Sequence, residues 1–359
     1  MTDSIRLGPR KALVAGSLGL VGGSFARHLR SLDRWQVVGV SRSAPATPIG
    51  YEHRCLDLLD AKACRTAAAE LKDVTHIFFC ARFSDRDKAL EARTNLAMLR
   101  NLLEPFDRVA AGLAHVCLVH GTKWYGSHIG PYRTPAKEDD PRHIPPNCYY
   151  DQHDYVAALQ PGRSWTWSTV RPHIVCGTTT GYPFNLITLL GVYGSICAEL
   201  GLPLDFPGDD CCFRSISQAT DVDLLCRSMV WMATTAECAN QSFNIVNSDY
   251  FRWCNLWPRL AAFFGVPIGM VRPQKLTSSM SAAADLWSAM SRQYGLTHPD
   301  VLSLANWGFG DFLFSADWDD MSSMAKASRY GFSGAVETES SILGALGALR
   351  EAKVIPPLK

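Results

Sequence analysis

The stretch Lys11-Ala12-Leu13-Val14-Ala15-Gly16-Ser17-Leu18-Gly19-Leu20-Val21-Gly22 sets the architecture of the chain. Residues 11–16 form a short, nearly continuous apolar run, the pattern of a strand buried on both faces. Gly16, Gly19 and Gly22 follow at three-residue spacing and open a helical pattern over 21–31. Glycine there lets the backbone turn tightly and approach a pyrophosphate, whose charge the helix N-terminus stabilises. The expected contacts are Gly16, Leu18, Gly19, Leu20 and Gly22.

Further strands are expected at 36–41, 75–80, 114–120 and 166–171, with helices at 61–71, 87–103 and 149–159 between them. Such alternation predicts an α/β fold, a doubly wound parallel sheet joined by right-handed crossovers. After about residue 175 the rhythm changes to apolar helices at 184–200, 221–236 and 251–265, broken by Pro and Gly. One short strand at 242–246 is expected to return to the main sheet. The organisation predicted is a dinucleotide-binding domain over 1–178, rejoined near 216–248, and a smaller, mostly helical substrate lobe over 179–359.

Composition narrows the function. The 359 residues carry 35 basic and 34 acidic side chains, a formal charge of +1, so no basic field draws in nucleic acid or membrane. The longest apolar stretch, Leu186 to Cys197, is too short for a bilayer span. Twelve cysteines are scattered without a CxxC pair, which points to reduced thiols, no metal site and a cytoplasmic protein.

The end of the second strand selects the cofactor. An acid there would accept from a ribose 2′-hydroxyl, whereas this chain has Ser41-Arg42-Ser43. Arg42 can pair with a 2′-phosphate and Ser41 can donate to it, so NADP(H) is expected. Asp57, beyond a third strand, can accept from an adenine amino group or cap the next helix.

Two further segments carry reactive groups: His120-Gly121-Thr122-Lys123-Trp124-Tyr125-Gly126 and Asn147-Cys148-Tyr149-Tyr150. Lys123 and Tyr149 both fall at the carboxyl edge of the predicted sheet, where open α/β folds bind ligands. No lysine stands four residues after Tyr149; position 153 is His. The helical Tyr–Lys relay used in alcohol oxidation therefore cannot form.

Taken together, these segments resemble the progesterone 5β-reductase/iridoid synthase-like family of atypical extended short-chain dehydrogenases. The resemblance also rests on Arg171-Pro172, on Gly201 to Gly208, on Trp307-x-Phe309-x-Asp311 and on Tyr330-Gly331-Phe332. It implies a Rossmann domain of the extended type with a C-terminal substrate lobe, NADP(H), and reduction of the C=C bond of a bulky apolar enone or enal. Tyr149 and Lys123 would then stabilise the enolate oxygen, such donors being worth about 2.7–4 kcal/mol each. Leu58 and Val175 would complete the cofactor contacts, and Arg82, Tyr150, His173, Asn185 and Phe309 would meet the substrate. A homodimer is the assembly common in such families.

The chain also departs from the family pattern. His153 stands in place of Glu, His173 in place of Gly after Arg-Pro, Ser43 in place of a second Arg, and Gly308 in place of an aromatic beside Phe309. The alternative expectation is a non-redox isomerase or cyclase in which Lys123 and Tyr149 only polarise a carbonyl.

Overall fold

Alternate residues of the first strand face opposite cores. Ala12 and Val14 pack with Phe25 and Met229, while Leu13 and Ala15 pack with Leu99 and Phe106. This two-sided burial is what a covered parallel sheet requires. The computed structural model describes residues 10–358, so the outer limits expected for the two lobes, residues 1 and 359, fall outside it.

The strands are β1 (Arg10–Ala15), β2 (Trp35–Ser41), β3 (Glu52–Cys55), β4 (His76–Phe79), β5 (His115–Val119) and β6 (Thr166–Pro172). They continue with β7 (Ile174–Cys176), β8 (Leu204–Phe206), β9 (Ala219–Asp221), β10 (Gln241–Ile245) and β11 (Ile268–Val271). The main sheet has seven strands in the order β10-β6-β5-β4-β1-β2-β3, all paired in parallel. The order reverses between β4 and β1, which opens a crevice at the carboxyl ends of those strands. β10 lies beside β6, so the strand expected at 242–246 does rejoin the main sheet. Two further parallel pairs, β7 with β9 and β8 with β11, lie outside it.

The helices of the first half are α1 (Leu20–Arg30), α2 (Ala61–Glu70), α3 (Lys88–Val109) and α4 (Cys148–Leu159). The second half contributes α5 (Leu186–Glu199), α6 (Asp210–Arg214), α7 (Val222–Thr234), α8 (Trp253–Phe264), α9 (Leu276–Ser279) and α10 (Ala283–Tyr294). It ends with α11 (Trp307–Leu313), α12 (Ala325–Arg329) and α13 (Thr338–Glu351). Asp60, Asp87, Asn147, Asn185 and Asp221 cap α2, α3, α4, α5 and α7, each accepting from an N–H of the first turn. α3 runs six residues past its expected end at 103, because Leu102, Leu103 and Phe106 remain buried against the sheet.

The C-terminal lobe has its own core. Trp257 and Trp287, both essentially without exposure, pack with Phe206, Leu189 and Leu346. Most of the aromatic and Met residues of this lobe are thus ordinary core. Among the described residues no helix is long and apolar enough to cross a membrane.

Candidate active site

A single cavity of about 640 Å³ runs from the glycine-rich turn, across the carboxyl edge of the sheet, into the C-terminal lobe. Its first section is built by the turn between β1 and α1. Gly16 has φ of 79°, and a Cβ on it would lie 2.8 Å from the Ala81 backbone nitrogen. A Cβ on Gly22 would sit 2.3 Å from the Gly16 carbonyl. These glycines hold the turn close to α1, whose N-cap Gly19 offers no capping side chain. The first N–H groups of α1 are therefore available to an anion, so the turn fits a dinucleotide pyrophosphate.

Every residue expected to contact the cofactor lines this cavity: Gly16, Leu18, Gly19, Leu20, Gly22, Ser41, Arg42, Asp57, Leu58 and Val175. Arg42 is exposed at the end of β2. The Ser41 hydroxyl is already engaged, donating to the Ser43 carbonyl and lying 2.8 Å from His53 Nε2. Asp57 does not cap α2, a task that falls to Asp60; its Oδ1 instead accepts from Leu59 N–H at 2.9 Å.

The reactive section lies between β4, β5 and α4. Lys123 sits in a 3-10 turn, Thr122–Tyr125, directly after β5, and Tyr149 in the first turn of α4. Asn147 joins the two segments. Its Oδ1 accepts from Tyr149 N–H at 3.0 Å, and its Nδ2 donates to the Lys123 carbonyl at 2.8 Å. Both side chains line the cavity. The Lys123 ammonium lies 5.6 Å from the Phe312 ring centre, a cation–π contact with the C-terminal lobe. Burial, reinforced by the Arg82 charge, lowers the Lys123 pKa to about 8.

The group bonded to the Tyr149 phenol is Arg82, not Lys123. Arg82 Nη1 donates to Tyr149 Oη at 2.5 Å, and Nη2 donates to Glu91 Oε1 at 2.9 Å. Glu91, nearly buried in the first turn of α3, also accepts from Lys88 Nζ and from Asp85 N–H. Burial opposes its charge, but those hydrogen bonds and Arg82 hold its pKa at about 2. Burial pushes the Tyr149 phenol up to about 12, with Arg82 pulling the other way. The phenol is thus protonated at neutral pH. Its oxygen accepts from Arg82, which leaves its one proton to be donated elsewhere. His120, fully buried at the end of β5, stacks on the Tyr149 ring at 4.8 Å between centres. Burial keeps this imidazole neutral, well below its usual pKa.

Two of the expected substrate contacts are corrected. Tyr150 does not line the cavity; its hydroxyl donates to the Trp124 carbonyl at 2.6 Å and accepts from His143 N–H. Asn185 is fully buried as the cap of α5, and its Nδ2 donates to the carbonyls of Gly177 and Thr179. Both polar groups are consumed by the backbone. Gly308 is exposed and does not line the cavity. His153 lies between Trp124 and Trp167, also off the cavity. Arg82, His173 and Phe309 do line it.

The Arg82–Glu91 support, the His120 stack and the Asn147 bridge were not read from the sequence. Only Asn147 carried a local signal, an Asn immediately before a helix. Arg82 and Glu91 meet because strand end and helix start converge, which spacing alone does not reveal.

Comparison with known proteins places the chain. The model of the PRISE-like Rossmann-fold domain matches residues 52–356. A short chain dehydrogenase of Penicillium aethiopicum is 28% identical over 97% of this chain and 100% of its own length. An (S)-8-oxocitronellyl enol synthase of Camptotheca acuminata is 32% identical, and a 3-oxo-Delta(4,5)-steroid 5-beta-reductase of Arabidopsis thaliana 31%; each match covers 96% of this chain and 93% of the relative. Among solved structures, a UDP-glucose 4-epimerase of Thermotoga maritima superposes with a TM-score of 0.70 at 16% identity, over 95% of this chain and 99% of that one. That last likeness speaks for the extended short-chain dehydrogenase fold alone. By its family model and these full-length relatives, the chain belongs to the progesterone 5β-reductase/iridoid synthase-like (PRISE) family of the short-chain dehydrogenases/reductases.

Proposed function

We propose that this chain reduces the C=C bond of a bulky apolar enone or enal with NADPH, in specialised terpenoid, steroid or polyketide metabolism. Bound NADPH would supply a hydride to the β-carbon of the substrate, and a proton from solvent water would then add at the α-carbon of the enolate to give the saturated carbonyl. The observation that carries the reading is the protonated Tyr149 phenol, anchored by Arg82 and facing the cavity.

Conjugate addition builds negative charge on the carbonyl oxygen. Tyr149 donates its free proton as a hydrogen bond to that oxygen, and Arg82 stabilises the phenol oxygen as its share of charge grows. Lys123, charged below about pH 8, adds a positive potential from β5. These interactions strengthen as the enolate forms, so they favour the transition state over the ground state. No residue has to remove a proton from a substrate hydroxyl, which is why a helical Tyr–Lys relay is not needed. Arg42, exposed at the end of β2, is assigned to the 2′-phosphate. The aromatic side chains of Tyr182, Phe184, Phe309 and Phe312 line the cavity and suit an apolar substrate body.

Purified protein with NADPH and a panel of enals and cyclic enones tests the reading. Consumption of NADPH with formation of the saturated carbonyl product is expected. Tight NADPH binding with no consumption on any member of the panel would replace it with the non-redox isomerase or cyclase.

A further inference from the structure

On the far wall of the cavity from β2, the segment after α11 brings in a carboxylate that neither the dinucleotide turn nor the Tyr149 cluster uses. Asp320 is fixed through its backbone: its N–H donates to the Ile216 carbonyl at 2.8 Å, in a bridge to Ser217. Its side chain remains 31% exposed, and it is among the residues lining the cavity. Tyr132 donates its hydroxyl to Oδ1 at 2.5 Å, and the fully buried His173 turns Nδ1 towards Oδ2 at 3.4 Å. His173 is itself braced at Nε2 by the Ser322 hydroxyl at 2.8 Å. Neither partner is an Arg or Lys. Although burial opposes the charge, His173 and Tyr132 together hold the Asp320 pKa below the ordinary carboxylate value.

A carboxylate has about four lone-pair sites, and the one hydrogen bond from Tyr132, with His173 at ion-pair distance, does not exhaust them. An ionised group left part-satisfied in a cavity wall costs free energy unless a ligand or water completes it. Trp318, two residues earlier in the same segment, also lines the cavity, but its indole N–H is buried away from that surface. The lone pairs that Asp320 leaves open match a ligand group that donates a hydrogen bond, and a hydroxyl is the uncharged group that does so from an apolar substrate.

We propose that Asp320 is a specificity-determining residue that accepts a hydrogen bond from a hydroxyl on the substrate. The substrate class is thus a hydroxylated or phenolic enone, not a purely hydrocarbon one. This deepens the enone reading and rests on it for the word enone, but the hydroxyl preference stands on the wall of the cavity. His173 and Tyr132 are positioning residues that keep the carboxylate turned inward.

Binding distinguishes the two claims. In the NADPH-loaded protein, dissociation constants are measured for matched pairs differing in one hydroxyl: 4-hydroxychalcone and chalcone, and testosterone and its 17-deoxy counterpart. At least one hydroxylated member is expected to bind about tenfold or more tighter than its partner, as suits a hydrogen bond to a charged acceptor. In Asp320→Asn that preference falls below about threefold, while affinity for the deoxy member and for NADPH stays the same. Tyr132→Phe, which frees one carboxylate oxygen without removing the charge, keeps the preference and guards against misfolding of the Asn variant. Equal affinities within both pairs, or a preference undiminished in Asp320→Asn, would overturn the assignment. Hydroxyl-selective binding without turnover of either member would leave Asp320 in place and remove the reductase.

Discussion

At Tyr149 three residues from different elements set one proton. Arg82 comes from the loop after β4, Glu91 from α3 and His120 from just after β5; they hold the ring and its oxygen in place, while burial keeps the phenol protonated. Arg82→Gln should lower kcat on any accepted enone by about 10–100-fold with little change in NADPH affinity, since it removes a donor supporting developing charge. Equal turnover in that variant would show that Tyr149 acts without it. Lys123 gives a pH dependence whose sign follows from its lowered pKa. As pH rises through about 8 the ammonium loses its charge, so kcat/KM should fall along a limb centred there. The same limb should vanish from the pH profile of Lys123→Ala. Tyr149 contributes no limb near neutrality, because its pKa lies far above. At this scale the sequence was partly legible. Lys123 and Tyr149 announced themselves by their departure from the usual spacing, whereas Arg82 was read as a substrate contact. A guanidinium that reaches across to a phenol 67 positions away leaves no trace in linear order.

The turn between β1 and α1 and the pair of segments joined by Asn147 are the elements that make the site. The first was fully legible, because a strand, three spaced glycines and a helix form a local pattern whose physics is local too. Gly22→Ala would push a methyl to 2.3 Å from the Gly16 carbonyl and force α1 away from the turn. It should abolish NADPH binding and destabilise the fold by about 1–3 kcal/mol, measured by calorimetry and denaturant titration. Asn147 works differently, since it caps α4 and holds the Lys123 turn with one side chain. Asn147→Ala should cost about 1 kcal/mol of stability as a lost cap. It should also lower kcat while KM and NADPH affinity change little, because both reactive groups lose their relative placement. A variant with the stability loss but wild-type kcat would reduce Asn147 to a cap. The helix limits were read less well where burial overrode them, as in α3, which continues past 103 to cover the sheet.

Across the whole molecule, the cavity is one space built by both halves of the chain, with Gly16 and Arg42 at one side and Trp253 and Phe312 at the other. The parallel sheet and the returning strand β10 were legible because apolar runs separated by helices permit few topologies. The cavity wall was not, since residues 315–320 carry no periodic pattern and reach the site through distant partners, the bridge to Ser217 and the contacts with Tyr132 and His173. Tyr150 and Asn185 fell out of the site for the same tertiary reason, their polar groups being spent on nearby backbone. A shared cavity predicts that ligand binding stabilises the protein as a unit. At 100 times its Kd, NADPH should add about 2.7 kcal/mol, seen as a single cooperative transition at higher Tm. Two transitions, only one of them shifted, would mean that the C-terminal lobe does not share the cofactor site. The decisive test of hydride delivery uses NADPH deuterated at its transferable position with any enone the protein accepts. The product is expected to carry the deuterium at the former β-carbon, with the carbonyl retained; deuterium at the carbonyl carbon, or none in the product, would contradict conjugate reduction.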